Sequence, residues 1–476
     1  MKLLRLIALA TAFGALVAAE DAKTLLRNAA RAMGAENLQS IEYSGSGFFF
    51  WFGQAANTSS PWPKFYAKSY RRVIDLAAGL SRQTVVRTQY ENPPHGGGNQ
   101  PIIAEEALTL TVGPTDPWSR NDGIGYSASQ QLEIWLTPVG FLKAAMDHDA
   151  TLVTKRISGK AYSVVSYKPA NQFPVTAYID AEGLIEKVET QIDNALLGDM
   201  PVEATYADYR SFGELKFPAK IVEKQGGFPV LDLRITDAKR DIVANIQPPS
   251  AAANDRNHVG IEQPAPGVYF LTGSHNSIAV GFREYVVVIE APLNEARSQA
   301  VIAEVNRLFP SLPIRYVVNS HQHIDHSGGL RTYAARGATI ITDAINKPYY
   351  ERVLKLPHTI QPDELASSGK KVVVEGVTDK RTLTDGEHII ELYHLENAGH
   401  ADGMLVAYFP KEKIIVEADE FTATAADAAI PAGANPYAAA LVEGLERRKL
   451  DYTIVLGLHG RQATKSELLH AAGRSN

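Results

Sequence analysis

The fold is decided by the stretch His321-Gln322-His323-Ile324-Asp325-His326-Ser327-Gly328-Gly329, which follows the apolar run IRYVV at 314–318. Three histidines and one aspartate, all able to bind a metal, fall within six residues. Imidazole suits Zn²⁺, and a carboxylate adds negative charge. Alternate residues of an extended segment point the same way, so His321 and His323 can bind one ion. Asp325 and His326 lie where the chain turns into a helix, and they can face a second ion.

Two features separate this cluster from a polar surface loop. Three of the 13 histidines of the chain fall in one short segment, and Gly328 and Gly329 let the backbone turn close to the site. A single histidine in a loop is typical of a surface, whereas this density favours a metal centre. The segment therefore predicts metal binding at the end of a buried strand.

Three further candidates each follow a strand-like run. They are His400 in NAGHADGMLVAYFP, Asp419 in KIIVEADEF and His459 in TIVLGLHG, spaced 74, 19 and 40 residues along the chain from His326 onward. Together with the 321–326 segment, they resemble the HxHxDH signature and the later ligands of the metallo-β-lactamase superfamily. The resemblance covers roughly residues 258–476.

The resemblance implies an αββα sandwich with the site at one edge, and two Zn²⁺ or another divalent metal. It implies that His321, His323 and His400 bind the first ion, that Asp325, His326 and His459 bind the second, and that Asp419 bridges them. A hydroxide shared by the ions would be the nucleophile, because a metal lowers the pKa of a bound water. Asp325 would also orient that hydroxide and so act as a catalytic residue.

His275, in TGSHNS, has two interpretations. In the family, a loop after the first strand overhangs the metals, and His275 falls in that loop. It is therefore a candidate catalytic contact, to substrate or to an oxyanion. The alternative is a structural turn without a chemical role.

The departures from the family pattern narrow the activity. The chain contains no cysteine, which excludes the β-lactamase subclass with a cysteine ligand. A bridging aspartate resembles the glyoxalase, lactonase and phosphodiesterase branches. The leading hypothesis is an exported dinuclear zinc hydrolase of an ester, lactone, thioester or related small molecule. The alternatives are a β-lactam hydrolase, or a ligand-binding protein with an ancillary metal domain.

Composition limits the partners. The 476 residues carry a net charge of −6, which disfavours a nucleic-acid protein that works by bulk positive charge. We expect a small-molecule substrate, no nucleic acid and no membrane-spanning segment in the mature chain; the oligomeric state stays open. Lys2, Arg5 and the apolar run 6–19, which ends in Val17-Ala18-Ala19, form a signal-peptide pattern and predict export, with a bacterial periplasm as the best fit.

The chain thus divides into a signal peptide at 1–19, an antiparallel β-rich domain at 20–250, a linker at 251–266 and the metallo-β-lactamase-like domain at 267–476. The overall class is α+β. In the first domain, alternating runs such as VEATYADYRSF indicate half-buried antiparallel strands, and GFFFWFG at 47–53 is predicted to be core. This domain holds only His95 and His148, and we predict that it supplies no metal ligand.

Overall fold

The computed structural model describes residues 22–98, 100–113, 127–246, 257–423 and 434–474. The expected signal peptide and part of the expected linker lie outside these residues. Within them, three sheets form, of 11, seven and six strands. No helix in the described parts of the chain has the length and apolar character needed to cross a lipid bilayer.

The N-terminal region is one antiparallel sheet, as predicted. Helix α1 spans residues 22–32 and precedes it. The strands are β1 (Ser40–Phe50), β2 (Lys64–Asp75), β3 (Leu80–Gln89), β4 (Glu106–Val112), β5 (Thr151–Ile157), β6 (Lys160–Tyr167), β7 (Val175–Ile179), β8 (Ile185–Asn194), β9 (Gly198–Phe212), β10 (Leu215–Gln225) and β11 (Phe228–Arg240). Their order is β4-β3-β2-β1-β11-β10-β9-β8-β7-β6-β5. Helices α2 (Ser127–Leu136) and α3 (Pro138–Asp147) pack on this sheet, and Tyr206 donates to the Leu136 carbonyl at 2.7 Å.

The C-terminal region contains the other two sheets. The seven-stranded sheet holds β12 (Gly260–Ala265), β13 (Val268–Thr272), β14 (Ser277–Gly281), β15 (Val286–Ile289), β16 (Ile314–Val318), β17 (Thr339–Asp343) and β18 (Val374–Val377). The six-stranded sheet holds β19 (Lys380–Thr384), β20 (Ile389–His394), β21 (Leu405–Phe409), β22 (Ile414–Glu417), β23 (Ile454–Gly457) and β24 (Gln462–Thr464). The helices are α4 (Glu295–Leu308), α5 (Ile324–Ser327), α6 (Leu330–Ala335), α7 (Lys347–Val353), α8 (Glu364–Ser368), α9 (Pro436–Arg447) and α10 (Lys465–Ala471).

These two sheets pack face to face, and helices cover their outer sides. One core joins Val280 and Val318 of the seven-stranded sheet to Leu392 and Val416 of the six-stranded sheet. A separate core fills the space between the outer face of the seven-stranded sheet and helices α4 and α6, while α9 packs onto the six-stranded sheet. The predicted αββα sandwich is therefore confirmed. Its parallel strands, β15-β16-β17 and β22-β23, aim their carboxyl ends at one edge.

An isolated histidine is typical of a surface, but His358 is 5% exposed, and its Nδ1 lies 3.0 Å from Asp193 Oδ1 of the N-terminal region. The aromatic run at 48–52, predicted to be core, is half-buried, and Phe49, Phe50 and Phe52 pack against buried cores.

Candidate metal centre

The strand ends place the candidate ligands. The loop 319–323 follows β16, Asp419 follows β22 by two residues, and His459 follows β23 by two residues. Gly328 permits the tight turn after α5, since a Cβ there would lie 2.0 Å from the Leu293 carbonyl oxygen. Asp419 itself has φ +60°, a left-handed conformation that is uncommon for a residue other than glycine.

One group of ligand atoms joins His321, His323, His400 and Asp419, all buried. His323 Nδ1 lies 2.8 Å from His400 Nε2. Asp419 Oδ2 lies 3.4 Å from His321 Nε2 and 3.6 Å from His400 Nε2. These four residues are those that the sequence assigns to the first ion and to the bridge.

A second group of candidate ligand atoms lies beside the first. His326 Nε2 is 2.9 Å from His459 Nε2 and 3.6 Å from Asp325 Oδ2. Asp419 Oδ1 lies 3.1 Å from His459 Nε2, and its Oδ2 lies 2.7 Å from His326 Nε2 as well as near the first group, so the carboxylate contacts both groups. The structure thus brings together all seven residues predicted to bind metal, and it puts Asp419 between the two sets.

Inside the C-terminal region, Glu290 orients two of the histidines. Its Oε2 lies 3.0 Å from His326 Nδ1 and also accepts from the Ser320 hydroxyl, which lies 3.0 Å from His321 Nδ1. Asn319 Nδ2 donates to the other oxygen of Glu290 at 3.0 Å. Such contacts to the far ring nitrogen fix the orientation of a ligating histidine and leave Nε2 for the metal.

The N-terminal region supplies the matching contacts for the other two histidines. His323 Nε2 donates to the Ala55 carbonyl at 2.7 Å, and His400 Nδ1 donates to the Gly98 carbonyl at 2.6 Å. A carbonyl can only accept, so these bonds leave His323 Nδ1 and His400 Nε2 unprotonated and facing the cluster. Gln54 Nε2 donates to Asp325 Oδ1 at 2.7 Å. Two loops of the first sheet therefore form part of the wall of the centre.

The charges suit cation binding. Burial lowers the pKa of His323 to about 3 and that of His275 to about 4, which keeps both imidazoles neutral. Burial opposes the ionised form of Asp419, but His459 and His326 beside it hold its pKa well below the ordinary value. Burial likewise disfavours a charged His326, yet Asp419 and Asp325 raise its pKa well above the ordinary value. A cation bound here would meet ionised carboxylates, and His326 would have to release a proton before it could act as a ligand.

The donor set fits divalent metal ions. His321 Nε2 is buried and has no hydrogen-bond partner among the described residues, although imidazole nitrogens in such a site are costly to leave unpaired. Its neighbours are nitrogen and carboxylate oxygen atoms, the donors that Zn²⁺ prefers in the absence of cysteine. A metal would satisfy the atoms that the protein leaves unpaired.

His275 joins the centre. It is 3% exposed, and its Nε2 lies 3.4 Å from Asp325 Oδ2. Its ring centroid is 4.4 Å from that of His459. Of the other histidines, His394 ends β20, and its Nδ1 lies 2.7 Å from Asp343 Oδ2. Within the described chain, no candidate metal group includes His95 or His148.

Sequence reasoning missed the supporting residues. Glu290 had a detectable signal, because a lone carboxylate directly follows the buried run VVVI at the site edge. Ala55 and Gly98 act through backbone carbonyls, which leave no trace in residue type. Gln54 lies in a loop without a motif.

The comparisons with known proteins bear on the C-terminal region. Residues 271–423 match the sequence model of the family described as the metallo-beta-lactamase superfamily. A solved metallo-beta-lactamase from Pontibacter korlensis is 18% identical, over 45% of this chain and 98% of its own, with a TM-score of 0.35. The DIM-1 metallo-beta-lactamase is 16% identical, over 45% of this chain and 95% of its own, with a TM-score of 0.35. Among curated proteins, no sequence matches this chain.

Proposed function

The C-terminal region belongs to the metallo-beta-lactamase superfamily, and from this premise we propose that the protein is an exported, dinuclear zinc-dependent hydrolase of an ester, lactone, thioester or related small molecule. The observation that carries the proposal is the convergence of the seven predicted ligands. They lie in two adjacent groups, with Asp419 facing both.

The residues have separate roles. Ions bound in the two groups would supply Lewis acidity and lower the pKa of a water. Asp325 is held from one side by Gln54, which leaves Oδ2 directed into the cluster. The His326 and His275 imidazoles near Asp325 keep its pKa below the ordinary value despite burial, so the carboxylate stays ionised. It therefore accepts a hydrogen bond from water and orients it, and it is a poor reservoir for a proton.

The position of Asp419 favours substrates with an oxygen leaving group over β-lactams, whose leaving group is a nitrogen. A carboxylate between two ions adds negative charge where an anionic nitrogen, released by ring opening, would need stabilising. An ester or lactone releases an alkoxide oxygen, which a hard cation binds readily. We therefore rank ester and lactone hydrolysis above β-lactam hydrolysis.

The test is a hydrolysis panel on one zinc-loaded preparation. An aryl ester, an acyl lactone, a thioester and a β-lactam reporter are compared by kcat/KM, beside a chelated and a zinc-restored sample. We expect chelation to abolish turnover, zinc to restore it, and the ester or lactone to exceed the β-lactam. A preference for the β-lactam would reverse the substrate ranking. A fully loaded protein without any hydrolysis would favour the ligand-binding alternative.

A further inference from the structure

The loop that carries His275 is tied to the segment that carries His459. Asn276 donates from its side chain to the carbonyls of Gly457 at 2.9 Å and Gly460 at 2.8 Å. Its backbone N–H donates to the Leu458 carbonyl at 2.9 Å. The three carbonyls belong to residues on both sides of His459 in the sequence. The bonds therefore fix the position of the His275 backbone relative to His459.

The opposite side of the same loop is also fastened. Arg297, buried on α4, donates through Nη2 to the His275 carbonyl at 2.9 Å. The Gly273 N–H donates to Asn276 Oδ1 at 3.1 Å. The backbone around His275 is therefore held from both ends, and the imidazole is presented by a rigid support.

The His275 imidazole is buried, and its charged neighbour is the Asp325 carboxylate. Both ring nitrogens are fully enclosed, and neither has a hydrogen-bond partner among the described residues. An unpaired buried polar group costs about 1–3 kcal/mol. A turn residue needs no imidazole, and its 3% exposure leaves little surface for a substrate. Neither earlier interpretation of His275 explains why a histidine occupies this position.

The distances match a shared ion. His275 Nε2 lies 3.4 Å from Asp325 Oδ2, which is longer than an ordinary N–H···O hydrogen bond of about 2.7–3.2 Å. Two donors bound to one tetrahedral Zn²⁺ at about 2.0–2.1 Å are separated by about 3.4 Å. His459 Nε2 is 3.8 Å from the same oxygen, and the ligand atoms of all three residues lie within 4.8 Å of one another.

We propose that His275 is a metal ligand and binds the same ion as Asp325 and His459. With His326 and the bridging Asp419, the second ion would then have three imidazoles and two carboxylates, one imidazole more than the resemblance implies for it. The inference rests on the proposed function only in taking the centre to bind divalent ions. It assigns His275 to holding the metal rather than to contacting the substrate.

The first test is a zinc titration of the full chain against a competing chelator. In His275→Ala we expect one of two ions to weaken by roughly 100-fold, since the loss of orienting contacts alone weakens metal sites by about 10–100-fold. The other ion keeps its affinity. His358→Ala is the matched control, because it removes another buried imidazole whose partner is Asp193. In His275→Gly, added imidazole should restore the weakened ion.

Unchanged affinity for both ions in a folded His275→Ala protein would overturn the proposal, whatever the substrate panel shows. A second measurement needs no variant. In wild-type protein labelled with ¹⁵N-histidine and loaded with ¹¹³Cd²⁺, we expect six metal-coupled imidazoles: His275, His321, His323, His326, His400 and His459. Five coupled rings, with His275 uncoupled, would refute the assignment and leave the proposed hydrolase intact.

Discussion

The backbone at Asp419 shows how much this centre demands of a single residue. A left-handed φ of +60° costs about 1 kcal/mol or more for most side chains, and glycine would relieve that cost. Glycine would also remove the carboxylate whose oxygens contact both groups of ligands. The chain therefore has a carboxylate at a position where the backbone conformation favours glycine, which is typical of a functional position.

We expect Asp419→Asn to lose one ion and about 100-fold or more in kcat/KM, because an amide cannot carry the bridging charge. Asparagine tolerates the left-handed backbone, so the fold should survive. Elemental analysis and steady-state kinetics measure both effects. Asp451→Asn, at an exposed carboxylate paired with Lys413, is the control. Two bound ions and normal turnover in Asp419→Asn would rule out the bridge.

Asp325→Ala should remove a ligand and the group that orients water, so kcat/KM should fall by several orders of magnitude. Gln54→Ala leaves that carboxylate in place but frees its Oδ1, so a loss of roughly 10–100-fold is expected. The graded pair separates a ligand from its support. Near-wild-type turnover in a folded, metal-counted Asp325→Ala protein would show that this loop has no part in catalysis.

At this scale the sequence revealed the side chains that bind and missed those that support. His321, His323 and Asp325 carry their chemistry in their residue types and spacing. The support for His323 comes from the carbonyl of Ala55, and every residue has a carbonyl. No pattern of letters can distinguish that one from its neighbours.

At the scale of elements, burial decided which strands were predictable. The inner strand β9 alternates along much of its length, because one face is in the core. The two edge strands, β4 and β5, were missed. Nearly every residue of β5 is exposed, so no face produces a hydrophobic period. Edge strands are held by backbone bonds to a neighbour, and such bonds do not depend on side-chain type.

The first sheet also buries a charged cluster. Glu223 and Arg72 are buried in the 11-stranded sheet, and Arg72 Nη2 lies 3.5 Å from Oε2 of the partly buried Glu133 on α2. Burial and the nearby Glu133 raise the pKa of Glu223 to about 7. Between the ordinary value of 4.5 and that value, the native state binds more protons than the unfolded chain. The contribution of this group to the free energy of unfolding is therefore greatest below pH 4.5, and it declines as the pH rises through 7.

Glu223→Gln should remove this decline. We expect the variant to exceed the wild type in stability by about 1–3 kcal/mol at pH 8, and to match it near pH 4.5. Denaturant unfolding at both values measures the difference. Glu214→Gln, at a largely exposed carboxyl, should leave the pH profile unchanged. An equal effect of Glu223→Gln at both pH values would exclude a titration of Glu223.

At the scale of the whole molecule, the two halves share one centre. The candidate ligand groups among the described residues fall between residues 275 and 459. The division predicted from the sequence hid the contribution of the first half. The Gln54 amide and the Ala55 carbonyl come from the loop between β1 and β2, and the Gly98 carbonyl comes from the loop between β3 and β4.

A fragment that begins at residue 255 keeps every candidate ligand but loses these three contacts. We expect it to bind zinc at least about 10-fold more weakly than the full chain, because His323 and His400 lose the bonds that fix their protonation. Circular dichroism establishes folding, and competition with a chelator measures the affinity. Equal affinity in a folded fragment would show that the first half does not tune the metal.

The carbonyl contacts to His323 and His400 also constrain how the chain folds. The two residues of the first contact are 268 positions apart in the sequence, and those of the second are 302 positions apart. These separations are among the longest for hydrogen bonds of the described residues. Contacts of this span close late, because the loop entropy is lost before any bond compensates for it. Before these contacts form, nothing fixes which nitrogen of His323 and His400 carries the proton, so we expect partly folded chains to bind cations weakly. We therefore expect the rate of tight metal uptake to follow the docking of the two halves.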